Sequence, residues 1–290
     1  MMLSFVILSL LAIFVTGAVL IFVPEIQRCS RCMDKYYEKE EALFKRWEAR
    51  INENETNPDF APDGMLYRGE ITYVANQDGT GYWSRSRGPE AMQWDSAARR
   101  LLILTKDLYD DCAWDIREET GRLNDTGKDS IKTNVRYFYP NLTLWAYAIL
   151  NALSGNDITE YEMTPSWDKL REFYETAPIS RVNCKKTVGG SRCLDNVLKH
   201  HLDAYGDLLL EQIRIYDADI ILCCGGSGMI KDYVIENYMD DFKPVSKAKW
   251  VYHSASSNKI LIDSYHPSSF SSKKRMYDEM MNDVKLFLNL

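Results

Sequence analysis

A carboxylate at Asp107, an amide at Asn183 and an imidazole at His266 each stand at or just beyond the end of a short apolar run of the chain. The runs are "RLLILT" (100–105), "ISRVNC" (179–184) and "KILIDSY" (259–265), and a fourth, "ADIILCCG" (218–225), ends in the turn sequence "GGSG". A carboxylate can orient or activate water, an amide donates and accepts at once, and an imidazole can hold or lend a proton near neutral pH. If the four runs are adjacent strands, these groups converge on one rim. Together they could bind a planar heterocycle with an amide-like edge and activate a water beside it.

The elements that must position them follow from periodicity. Between the apolar runs lie "LTLWAYAILNAL" (142–153), a stripe of Leu198, Leu202, Tyr205, Leu209 and Ile213, the segment "GMIKDYVIENYM" (228–239), and a last stripe of Met276, Met280, Val284 and Phe287. Continuous apolar strands alternating with helices predict an α/β fold, a central four-stranded parallel sheet covered on both faces as a three-layer α/β/α sandwich. Ligands of such sheets bind at the carboxyl ends of the strands. The "GGSG" turn lacks the spacing of a P-loop or a dinucleotide fingerprint and is read as a tight strand-to-helix turn. His200 and His201 fall on the long helix and are read as solvent-facing or packed.

The chain has 290 residues, 46% of them hydrophobic, enough for one sizeable core. Its net charge of -7 argues against a general polyanion binder, so a nucleic-acid surface would have to be a local basic patch. Residues 3–23 carry no charge and are long enough to cross a hydrocarbon core of roughly 30 Å as a helix. Arg28, Arg31, Lys35, Lys39, Lys45 and Arg46 follow that stretch, so the positive-inside rule leaves the rest of the chain in the cytoplasm. Met33 opens a segment that would also begin a soluble, cytoplasmic protein. The division expected is therefore a membrane anchor and juxtamembrane segment over 1–32, a charged helix and irregular extension over 33–90, and the α/β domain over 91–290.

Seven cysteines, an odd number, suit a reducing compartment. Cys223 and Cys224 read as small buried hydrophobes. The lone pair Cys29 and Cys32 has no second pair at zinc-ribbon spacing and reads as free or lipidated thiols. Chance explains the sequons at Asn54, Asn124 and Asn141.

Taken in order, the strand ends resemble the uracil-DNA glycosylase superfamily over roughly residues 90–290. The family's first strand ends in G-Q-D-P-Y, and "TKDLY" keeps the Asp and Tyr as Asp107 and Tyr109. Its second strand carries an Asn in a pattern like L-N-x-V-L-T-V, and "VNCKKTV" keeps Asn183 with the trailing Thr-Val. Its fourth ends in H-P-S, present as His266, Pro267 and Ser268. The family's base-stacking aromatic corresponds to the segment "YFYPNLTLW", where Phe138 is the choice and Tyr137 and Tyr139 are rivals. Thr105 and Lys106 replace the Gly and Gln of the first motif, Leu108 its Pro, and Ser269 the second Pro of H-P-S-P. The four-cysteine iron-sulfur pattern of some branches is missing, so no cofactor is expected.

The resemblance implies a DNA glycosylase that flips a base out of DNA and hydrolyses its N-glycosidic bond, releasing uracil or a modified base, as in DNA repair. Asp107 and His266 would be catalytic. Asp107 would position water and favour the cationic sugar, and His266 would donate a hydrogen bond to the departing base. Asn183 would read the base edge, Phe138 would stack on the base, and Tyr109 would shape one wall. Lys185, Lys186, Ser268, Phe270, Lys273 and Lys274, with Arg275, would meet the nucleic acid, with DNA favoured over RNA, Phe270 wedging into the stack and the protein acting as a monomer. Other roles stay open at this stage. Asp107 could cap a following helix, Asn183 could be a turn residue, His266 could be structural, and the cations could form an ordinary solvated face. The alternative function is a catalytically inactive, membrane-tethered module that binds nucleic acid or a nucleotide with the same fold.

Overall fold

The computed structural model describes residues 35–77, 79, 81–109, 112–119, 137–189, 193–225 and 227–289, with no side chain described for Tyr109. The expected anchor over 3–23 and the Cys29 and Cys32 pair lie outside these residues. Among the described residues no helix is long and apolar enough to cross a membrane.

The chain is a mixed α/β protein. Its helices are α1 (35–54), α2 (Glu90–Ser96), α3 (Phe138–Leu153), α4 (Trp167–Thr176), α5 (Asp195–Tyr216), α6 (Met229–Asn237) and α7 (Lys273–Leu288). Its strands are β1 (Gly64–Met65), β2 (Ile71–Ala75), β3 (Gly81–Arg85), β4 (Leu101–Thr105), β5 (Leu108–Tyr109), β6 (Ile179–Asn183), β7 (Val188–Gly189), β8 (Ile220–Cys224), β9 (Phe242–Pro244), β10 (Val251–Ser254) and β11 (Lys259–Ser264).

Seven strands form one sheet in the order β1-β6-β4-β8-β11-β10-β9. The four apolar runs of the sequence are its centre, and β6, β4, β8 and β11 pair in parallel. Three short strands enlarge the sheet beyond those four, with β1 antiparallel to β6, β10 antiparallel to β11, and β9 antiparallel to β10. β10 and β11 form a hairpin closed at "ASSN", where Asn258 takes a left-handed conformation (φ 54°) that asparagine tolerates. β2 and β3 make a separate hairpin, and β5 pairs in parallel with β7.

Side-chain alternation along the central strands fills two cores. Leu101, Ile103, Ile179, Leu222, Ile260 and Ile262 pack with α3, α4 and α7. Leu102, Leu104, Val182, Ile221, Cys223 and Leu261 pack with α1, α2, α5 and α6. Residues 33–90 contribute to the second core, since Leu43, Trp47 and Ile51 of α1 and Met65 of β1 lie within it.

This packing corrects one expectation. Lys185 and Lys186 were expected to meet nucleic acid, and both are buried. Lys186 pairs with Asp63 in the interior and lies 4.8 Å from the ring of Trp47. Asp63 also accepts hydrogen bonds from the Asn183 backbone N–H at 2.8 Å and from Gln212 Nε2 at 3.1 Å. Lys185 Nζ donates to the carbonyls of Thr187 (2.7 Å) and Val188 (2.9 Å). The chain turns inward after β6, so its two lysines satisfy buried acceptors rather than phosphates.

Removing one partner of a buried pair leaves an uncompensated charge. Lys186→Met is therefore expected to destabilise the fold by about 3–5 kcal/mol in urea unfolding. A loss under about 1 kcal/mol, the scale of an exposed pair, would contradict the burial of this contact.

Candidate functional site

The register of the parallel strands places Asn183, Thr105, Cys224 and Ser264 in one row across the carboxyl end of the sheet. Asp107, His266 and the turn after β8 continue from that row. Thr105 Oγ1 donates to Asn183 Oδ1, while Asn183 Nδ2 is buried without a hydrogen-bond partner among the described residues. Asn183 thus has its acceptor occupied and its donor unspent. It is the last residue of β6 and fully enclosed, not an exposed turn position.

Asp107 lies in the two-residue gap between β4 and β5, so no helix follows for it to cap. Lys185 Nζ stands 3.8 Å from its Oδ2. Burial raises the Asp107 pKa, and Lys185 and then Lys106 oppose that rise. A Cβ added at Gly189 of β7 would overlap Asp107 Oδ2, so the carboxylate approaches the β7 backbone closely and the β5–β7 pairing walls it. Tyr109 lies on β5 beside Gly189 in register.

His266 is held by the corner that follows it. Pro267 offers no N–H, and the Ser268 backbone N–H donates to His266 Nδ1 at 3.1 Å. Ser269 N–H closes the turn on the His266 carbonyl at 2.8 Å, and buried Asn141 of α3 donates to the Pro267 carbonyl at 2.7 Å. Because Nδ1 accepts, the neutral ring carries its proton on Nε2. Burial lowers the His266 pKa to about 4, helped by Lys106 and Arg181, so the ring is neutral at pH 7. The site therefore presents Nε2–H as a donor.

Phe138, the first residue of α3, stands with its ring centroid 5.9 Å from that of His266 and 5.2 Å from that of Tyr139. The structure thus brings Phe138 to the imidazole. Tyr137 has Lys273 Nζ 5.2 Å from its ring centroid. Phe270 is fully exposed, two residues beyond Ser268. Lys274 pairs with Glu162 (2.7 Å) and Asp278 (2.8 Å), and Arg275 with Glu279 (2.8 Å), so their charge is locally balanced.

Arg181 and Glu119 escaped the reading of the sequence. Arg181 is buried in β6, pairs with Glu119, and its guanidinium carbon lies 5.0 Å from the Phe138 ring centroid. Glu119 also accepts from Tyr174 Oη (2.9 Å) and Tyr139 Oη (3.0 Å). The available signal was a lone arginine inside "ISRVN", an otherwise apolar strand. Among the described residues no group of three or more His, Cys, Asp or Glu side chains is placed to hold a metal ion.

The chain matches no family model and no curated protein sequence.

Buried His201 and half-buried His266 give the fold a signature in acid. Burial also lowers His201, stacked on Tyr205 in α5, to about 4. Both folded values lie below the ordinary 6.5, so the unfolded chain binds more protons between pH 6.5 and 4. Their contribution to stability is complete above pH 6.5 and falls through that window, by up to about 1.4 kcal/mol per pH unit for each ring. Urea midpoints measured across the window should fall with acid in wild type and fall less steeply in His266→Gln. Equal slopes in the two proteins would show that His266 is not held neutral.

Proposed function

We propose that the chain is a glycosylase-like hydrolase of N-glycosidic bonds, with the three-layer α/β/α fold of the uracil-DNA glycosylase superfamily. It releases uracil or a modified base from flipped-out DNA. The observation that carries this reading is the neutral imidazole of His266, locked by the Ser268 N–H with Nε2–H as donor and packed against Phe138 at the carboxyl rim of the sheet.

Breaking an N-glycosidic bond develops positive charge on the sugar and negative charge on the departing base. A neutral N–H donor in a water-poor pocket stabilises the second charge more than it would in solvent. Asp107 supplies the anion for the first, orienting the attacking water toward C1′ while Lys185 holds its carboxylate in place. Phe138 offers a ring face on which an extruded base stacks, and the unspent Asn183 Nδ2 meets an oxygen on its edge. Phe270, fully exposed, would fill the gap the base leaves in the stack. No cofactor enters these steps. Residues 3–23 tether the domain to the cytoplasmic face of a membrane.

A second reading, a module that binds a base or nucleotide without cleaving it, has its own support. Of the cations expected at the rim, Lys185 and Lys186 are buried, and Lys274 and Arg275 are paired with carboxylates. Little free positive surface is left for a duplex backbone.

The two readings separate on an oligonucleotide panel, single-stranded and duplex, carrying uracil and modified bases and scored for abasic sites with the full-length chain in mild detergent. Asp107→Asn and His266→Ala should lower turnover by on the order of 10² or more with binding largely kept, because both act on the transition state. Asn183→Ala and Phe138→Ala should weaken binding and change which base is accepted. A wild-type chain that binds the panel yet frees no base decides for the module.

The tether has a separate test. Full-length protein should sediment with membranes and resist alkaline extraction, and its recovery in the soluble fraction would refute the anchor.

A further inference from the structure

Two buried donors of the site are unspent. Arg181 Nε and Asn183 Nδ2 are buried and unpartnered among the described residues, and both belong to the sheet face packed against α3. His266 adds Nε2–H, since its Nδ1 is occupied by the Ser268 N–H. Two acceptors beside them are already taken. Asn183 Oδ1 receives the Thr105 hydroxyl, and Glu119 receives Tyr139, Tyr174 and Arg181. A buried guanidinium with an unmet donor is costly to maintain, so its retention beside the proposed stacking ring calls for a ligand.

We propose that the site takes an acidic base, one bearing a carboxylate or an ionised oxo-imide, and that Arg181 determines this specificity. The ring would stack on Phe138 while its anionic group takes the planar donors of Arg181 in the charge-assisted geometry that guanidinium favours. The amide of Asn183 and Nε2–H of His266 would meet its remaining oxygens. Burial, and after it Lys106 and Arg181, hold His266 below its ordinary pKa, so both cations act at the imidazole. The glycosylase reading supplies the position of the ring for this inference, but the cleavage step does not enter it.

The test is calorimetric binding of two free bases, uracil and 5-carboxyuracil, to the full-length chain in mild detergent at pH 7. Three proteins are compared: wild type, Arg181→Lys, and the double variant Arg181→Met with Glu119→Gln, which removes both charges of the buried pair together. Wild type should bind 5-carboxyuracil about tenfold or more tighter than uracil, Arg181→Lys should narrow the ratio to about threefold, and the double variant should abolish it. Equal wild-type affinities, no detectable binding of 5-carboxyuracil, or an intact preference in the folded double variant would overturn the proposal. If the double variant loses its circular dichroism signal, Arg181→Lys decides, and an unchanged ratio there overturns it. Oligonucleotides carrying the two bases separate this from the glycosylase reading. Bound but uncleaved oligonucleotides would remove the cleavage step and leave the free-base preference standing.

Discussion

Strand β6 and the residues just after it place buried charge on both faces of the sheet, and the arrangement of the site depends on how each charge is compensated. On one face Arg181 meets Glu119, itself held by Tyr139 and Tyr174. On the other, Asp63 takes Lys186, Gln212 and the backbone N–H of Asn183. Immediately beyond the strand Lys185 is fixed by two carbonyls and stands beside Asp107. Buried ions are tolerated only when paired and hydrogen-bonded, so each compensation removes freedom from a neighbouring group of the site. Asn183 is placed through Asp63, Asp107 through Lys185, and the wall behind Phe138 through Arg181. These contacts exchange stability for fixed geometry, which a site that discriminates between rings requires.

His266 is positioned by different means. Its corner relies on neutral hydrogen bonds, from the Ser268 N–H to the ring and from Asn141 to the Pro267 carbonyl. The imidazole gains orientation without a carboxylate partner that would raise its pKa, and burial then keeps it neutral. A carboxylate nearby would have produced an imidazolium at physiological pH. The absence of such a partner among the described residues gives the site a neutral donor at the carboxyl rim.

How much of this was legible beforehand follows from the range of each interaction. The four central strands announced themselves as unbroken apolar runs because both faces of each are covered, and His-Pro-Ser after the last run marked the rim. β1, β9 and β10 are two to four residues long, too short for period-two alternation to stand out. Lys185 and Lys186 looked like surface charge because nothing local distinguishes a lysine bound for the interior. The partner of Lys186, Asp63, lies 123 positions away in the chain. Arg181 did carry a signal, a charge within an apolar strand, but its partner Glu119 and its neighbour Phe138 are brought together only by the packing of α3 on the sheet.

The account turns on one chemical state, a neutral imidazole at position 266 with its proton on Nε2. Long-range ¹H–¹⁵N correlation spectra of the imidazoles, recorded from pH 3.5 to 8 with His266→Gln for assignment, observe that state directly. The structure predicts an Nε2–H tautomer that persists on acidification and titrates near pH 4. An Nδ1–H tautomer, or an imidazole that titrates near its ordinary value of about 6.5, would contradict it.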